Sequence, residues 1–227
     1  RVGFFSKSQL GALKRKGEKE MNELNEKLAL DLFDIGAVKF GAFKLKLHET
    51  NPEAPLSPIY IDLRITRSFP ELFADIVYAY DEILRKIAFD RIADVPTAAT
   101  PFVGALVYRS EYSMISPKIS KTHGLSGDID GFFEQGDVVV VVDNLITTAN
   151  SKLEAIDILK RNGLIVEDVV VLVDRQQGGK ETLEKAGYQL HSVFTITDML
   201  GLYLENDKIG QEKYEEVMFY LGLGANL

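Results

Sequence analysis

The sequence predicts an α/β protein with a central parallel sheet flanked by helices. Three observations carry that expectation. Val138 to Val142 is an unbroken β-branched run without polar alternation, the pattern of a strand covered on both faces. Strand-like and helix-like segments alternate from 138 to 196, as in βαβ units. Two of those strands run into polar residues, at Asp143-Asn144 and Asp174-Arg175, and ligands of open α/β sheets sit at such carboxyl ends.

The elements follow in order. Residues 20–33 read as a helix with Met21, Leu24, Leu28 and Leu32 on one face. Val38 to Lys46 reads as a strand interrupted at Gly41. Leu47 to Leu56, with two prolines, Asn51 and His48, reads as an exposed loop. A short strand follows at 59–63. The clearest helix is 69–87, where Phe69, Leu72, Phe73, Ile76, Val77, Tyr80, Ile83, Leu84 and Ile87 recur at three- and four-residue spacing. Strands at 91–95 and 112–115 flank a helix near 101–109. The polar segment 116–136 has no apolar period and predicts a long mobile loop. After the valine strand come a helix at 151–162, a strand at 169–173, a helix at 180–186 and a strand at 189–196.

Composition narrows the partners. The length of 227 residues fits a single domain spanning 1–227. With 26 basic against 34 acidic residues the net charge is −8, which predicts no nucleic-acid partner. There is no cysteine, which excludes disulfides and thiolate metal sites and suits a cytoplasmic location. No apolar run approaches the ~20 residues of a membrane span. Charges at Lys14, Arg15, Lys16, Glu18, Lys19 and Glu20 speak against a signal peptide.

The segment Val138 to Asn150 holds the most chemistry. A buried strand ends in Asp143-Asn144, then Leu145-Ile146-Thr147-Thr148-Ala149-Asn150 leads into a helix. Amides at a helix N-terminus hold phosphate, Thr hydroxyls add donors, and an acidic strand end accepts hydrogen bonds from sugar hydroxyls. Spacing alone fits equally well a plain strand–turn–helix with Thr and Asn as caps. His191 reads as structural, the three scattered histidines outline no metal site, and no serine-centred elbow appears.

Val139 to Thr148 is similar to the phosphoribosyl pyrophosphate loop of type I phosphoribosyltransferases: apolar residues, an acidic pair, two apolar residues and a Thr pair. Further segments resemble the orotate phosphoribosyltransferases within that family. They are Gly36 to Lys46, Ser57 to Arg64, Val95 to Pro101, Lys118 to Gly124 and Asp174 to Gly179, in order and spacing over about 34 to 179. The resemblance implies the type I phosphoribosyltransferase fold, with the N-terminal region of about 1–65 contributing a small hood.

The resemblance also implies roles. Asp143 and Asn144 would hold ribose, and Thr147, Thr148, Ala149, Asn150 and Ser151 would surround the 5′-phosphate. Thr97 and Ala98 would meet pyrophosphate. Lys46, Ile59, Tyr60, Thr147 and Arg175 would bind orotate, with Ile59 and Tyr60 over the ring face and the Arg175 fork suited to a carboxylate or imide edge. Lys118, Lys121 and His123, with Asp143, would act in catalysis as a mobile loop closes. Mg²⁺ would bridge substrate oxygens rather than sit in a protein cage. A homodimer is implied, its loop crossing to the neighbouring site. Three positions depart from the family pattern. Asn144 replaces an acidic residue, Ala149-Asn150 stand where glycines are usual, and Pro117 stands where an Arg is common. They keep two rivals in view: a non-catalytic paralogue that binds phosphoribosyl pyrophosphate or a nucleotide, and a transferase for another base.

Overall fold

The computed structural model describes residues 23–49, 51–118 and 127–223. Its core is a six-stranded sheet. The strands, in spatial order, are β5 (Ile129–Asp130), β4 (Ser113–Pro117), β3 (Arg91–Asp94), β6 (Val138–Ile146), β7 (Ile165–Asp174) and β8 (Gln189–Thr195). All pairs are parallel except β4–β5. The chain moves one way from β3 to β4 and β5, then returns to the other side of β3 with β6. A topological switch point therefore lies between β3 and β6, the place where open α/β sheets bind ligands at their strands' carboxyl ends.

Helices cover both faces. On one side pack α1 (Glu23–Asp34), α2 (Pro70–Leu84), α3 (Thr100–Ser110), α6 (Ile196–Glu205) and α7 (Gln211–Tyr220); on the other lie α4 (Asn150–Arg161) and α5 (Gly179–Lys185). The valine run divides accordingly. Val140 and Val142 join the first core, Val139 and Val141 the second, all without accessible surface or nearly so. Alternate side chains point to opposite faces, so a strand between two cores must be apolar at every position. Each such valine stabilises the fold by about 1.5–3 kcal/mol relative to exposure. A separate antiparallel hairpin, β1 (Val38–Phe43) and β2 (Ser57–Ile61), forms the hood, and its register slips between Phe40 and Phe43, around Gly41.

Several expected bounds move. The strand at 38–46 ends at Phe43, and Lys46–Glu49 forms a 3-10 turn. The 47–56 segment is not a plain surface loop. His48 is buried there, its Nδ1 accepting from the Leu45 amide at 2.9 Å and its Nε2 donating to the Ala54 carbonyl at 3.1 Å. The strand expected at 59–63 starts at Ser57 and ends at Ile61, because the Asp62 side chain accepts from the Arg64 amide and caps a 3-10 turn. The helix at 69–87 stops at Leu84 although its apolar period continues, since Lys86 and Ile87 donate to carbonyls three residues back.

The expected loop 116–136 is partly sheet, because Ser116 and Pro117 pair with Asp130 and Ile129. Gly131 makes that possible, at φ +103° with the Met114 carbonyl only 2.9 Å from where a Cβ would stand. The loop's residues 119–126, with Lys121 and His123, and the first residues of the 20–33 helix lie outside the described residues. The valine strand runs on to Ile146, past Asp143-Asn144, where the sequence reading ends it. The helices α6 and α7 were not anticipated. Among the described residues no helix is long and apolar enough to cross a membrane.

Candidate active site

Three turns meet at the carboxyl end of the sheet. The first follows β3. Asp94, fully buried, accepts hydrogen bonds from Thr100 Oγ1 and, at 2.6 Å, from Ser116 Oγ, which fixes the start of the turn. Val95 is tied to β6 through its amide and the Val142 carbonyl, and the Pro96–Thr97 peptide is cis. Thr97 is exposed and Ala98 half-buried. Arg67, which sequence reasoning missed, donates to both their carbonyls at 3.2 and 3.3 Å.

The second turn runs from Asp143 to Ser151. Thr147 is half-buried, and Thr148, Asn150 and Ser151 are exposed, so their hydroxyl and amide groups are open to a ligand at the start of α4. Ala149 caps this helix in the left-handed region, at φ 67°. The residue in that conformation is thus Ala149, while Asn150 already opens the helix. Asp143 is buried. Its Oδ2 is paired with Lys152 Nζ at 2.5 Å, its Oδ1 accepts from the Asn144 amide at 2.7 Å, and its carbonyl accepts from the Tyr80 hydroxyl at 2.8 Å. Burial pushes the Asp143 carboxyl above its ordinary value, with the Lys152 ammonium acting against that shift. Asn144 is half-buried, and its Oδ1 accepts from the Leu145 amide at 2.8 Å.

The third turn follows β7. The Arg175 amide donates to the Ile146 carbonyl at 3.1 Å, and Gln176, in the left-handed region at φ 52°, donates its amide to Asp174 Oδ1 at 2.8 Å. Gly179 packs so closely on the second turn that a Cβ would stand 2.5 Å from the Thr147 carbonyl. Only glycine allows the second and third turns to touch. Arg175 is only 6% exposed, and its Nε and Nη2 find no hydrogen-bond partner among the described residues. The adjacent Asp174 does not pair with it; that carboxylate turns to its own loop. Burial pushes the guanidinium below its ordinary value, with Tyr220 at the end of α7 opposing the shift.

Other expected residues fall differently. Tyr60 is half-buried beside Phe43, with ring centroids 5.6 Å apart, and its hydroxyl accepts from Arg64. Ile59 has no accessible surface. It is part of the core, which corrects the expectation that it covers a ring: β2 packs that face inward. Lys118 is bound to Asp130 at 2.6 Å and borders a groove with α4 residues Glu154, Asp157, Lys160 and Arg161. The side chain of Lys46 lies outside what the structure describes. His191 pairs with Asp168 at 2.6 Å near the amino end of the sheet, a structural contact.

No protein-family model matches the chain. The chain is 37% identical over 192 residues to the orotate phosphoribosyltransferase of Pyrobaculum aerophilum, spanning 84% of this chain and 95% of that protein. The chain belongs to the orotate phosphoribosyltransferase family. It is also 36% identical to a bifunctional PyrF/PyrE enzyme of Nostoc and 34% identical to uridine 5′-monophosphate synthase of Bos taurus, but spans only 38% and 40% of those longer proteins. Among solved structures, Leishmania donovani UMP synthase superposes with a TM-score of 0.77 at 34% identity, over 95% of this chain and 44% of that one. The orotate phosphoribosyltransferase of Aeropyrum pernix gives 0.64 at 27% identity, over 80% of this chain and 99% of that one.

Proposed function

We propose that the chain transfers the 5-phosphoribosyl group from phosphoribosyl pyrophosphate to orotate, a step of pyrimidine biosynthesis that yields orotidine 5′-monophosphate and pyrophosphate. The observation that carries this reading is Arg175, a buried guanidinium beside the Thr147 turn with two donors that find no partner among the described residues. A buried charge without a partner is costly, and a planar anionic base would complete it. The bond from ribose C1 to pyrophosphate breaks first and its electron pair leaves with pyrophosphate. A ring nitrogen of orotate then attacks the oxocarbenium-like carbon and loses its proton. The 147–151 turn holds the 5′-phosphate, Thr97 and Ala98 meet pyrophosphate, and Lys118, Lys121 and His123 stabilise the departing charge.

Mg²⁺ enters this reading with the substrate. Among the described residues no three carboxylate or imidazole groups are placed to hold a metal, and Asp143 is paired with Lys152. Bound with phosphoribosyl pyrophosphate, the ion would offset the negative charge that develops on the leaving group. The reading also includes a homodimer whose 118–123 loop serves the neighbouring site, and a cytoplasmic location, which the lack of cysteine suits.

The test is orotate consumption with phosphoribosyl pyrophosphate and Mg²⁺, with other bases in parallel. Orotate is expected to be the preferred base, and turnover of another base alone would replace it. Asn144→Asp separates an enzyme from a binding paralogue. In an active enzyme the added charge changes the rate modestly, by less than about tenfold, or ~1.4 kcal/mol. A rise from background by orders of magnitude would mark a sensor disabled at this position. No activity in either form, with phosphoribosyl pyrophosphate still binding by calorimetry, would leave only the binding reading.

A further inference from the structure

Lys152 is out of place by the ordinary rules of helices. It sits in the first turn of α4, where the helix dipole disfavours a cation. It is also 5% exposed, and lysines are almost never buried unless paired. Its ammonium accounts for both. It binds Asp143 Oδ2 at 2.5 Å, donates to the Leu145 carbonyl at 2.5 Å, and reaches Ser151 Oγ at 3.4 Å. These contacts span both ends of the 143–151 turn, from the strand that begins it to the helix that closes it. The turn itself includes left-handed Ala149, a conformation that costs a non-glycine residue about 1–2 kcal/mol and persists only where its surroundings hold it. The groups facing the Asp143 carboxylate are Lys152 from α4, the Asn144 amide and, electrostatically, Asp94 from β3. Because position 144 is Asn, Asp143 is the one carboxylate of the pair, and Lys152 matches its charge.

We propose that Lys152 is a positioning residue of this site, which acts through Asp143 and the Leu145 carbonyl to hold the 143–151 turn in the form that receives the phosphoribosyl group. The ammonium need not touch substrate. It fixes the carboxylate that ends β6 and ties it to the helix whose first amides face the phosphate. This inference rests on the phosphoribosyl reading of the site.

The test is a double-mutant cycle of Lys152→Met and Asp143→Asn, with kcat, KM for each substrate, affinity for phosphoribosyl pyrophosphate by calorimetry, circular dichroism and melting temperature. Lys152→Met is expected to lower kcat/KM for phosphoribosyl pyrophosphate by about 10–100-fold, as loss of a group that orients a site residue does. KM for orotate is expected to stay within about threefold, and in the Asp143→Asn background the same change should cost less than about twofold. Unchanged kcat/KM with only a lower melting temperature would reduce Lys152 to a structural role and overturn the proposal. So would an equal loss in both backgrounds, which would mean Lys152 acts without Asp143. Should Lys152→Met not fold, the double variant, which removes both charges of the buried pair together, is compared with Asp143→Asn. Equal activities support the proposal, and a further loss of about tenfold or more overturns it. Turnover by the unmodified chain tests the phosphoribosyl reading separately. Should that fail, the calorimetric arm of the cycle still decides whether Lys152 shapes the turn.

Discussion

Replacing Arg175 with Met is expected to move activity and stability in opposite directions. The guanidinium is 6% exposed, with Nε and Nη2 unpartnered among the described residues. Its loss should remove two charge-assisted hydrogen bonds to orotate, about 3–4 kcal/mol together, so kcat/KM for orotate should fall roughly 10²–10³-fold. Among the described residues the same group has no compensating carboxylate. Met has similar length and no desolvation cost, so the variant should gain about 1–3 kcal/mol. In a chain of this size that corresponds to about 2–12 °C in melting temperature. Calorimetric affinity for phosphoribosyl pyrophosphate should hold. A lower melting temperature would show that the guanidinium is satisfied in the free protein. An unchanged kcat/KM for orotate would remove Arg175 from the base site.

The second large effect is expected at Lys121, in the segment Lys118 to Gly124, which resembles the family's mobile loop. Lys121→Ala should lower kcat by roughly 10²–10³, about 2.7–4 kcal/mol of barrier, as loss of one preorganised donor to a developing anion does. On the proposed reading the lysine meets charge that exists only as pyrophosphate departs, so KM for orotate should barely change. Steady-state kinetics with both substrates varied decides it. A normal kcat with a raised KM for orotate would place Lys121 in ground-state binding instead. Lys118, by comparison, is paired with Asp130 at 2.6 Å, and in the proposed role it would have to exchange that partner.

Much of the site was legible because its signals are local. The run Val138 to Val142 announces a strand buried on both faces, and the polar residues after it mark a carboxyl end. The Thr147-Thr148 pair before a helix announces amides and hydroxyls that can cradle phosphate, and Gly178-Gly179 a tight turn. Boundaries were less legible. The helix at 69–87 kept its apolar period past its last α-type hydrogen bond, since burial of a turn and helicity are separate matters. His48 looked like a loop residue because its two partners are backbone groups, which leave no mark in side-chain pattern.

The sequence by itself determined the main strands and helices as far as residue 196 and which polar residues stand at strand ends, because both are written in spacing along a few consecutive residues. The family was legible from the resemblance of its motifs. Only the tertiary structure decided that β3 and β6 are neighbours with a switch point between them. It alone showed that Gly179 must lie against Thr147, that Ile59 faces the core, and that among the described residues Arg175 pairs with no carboxylate while Asp143 has Lys152. Those facts depend on groups brought together by packing, and the cost of an unpaired buried charge or the clash of a missing Cβ exists only once the sheet has closed around it.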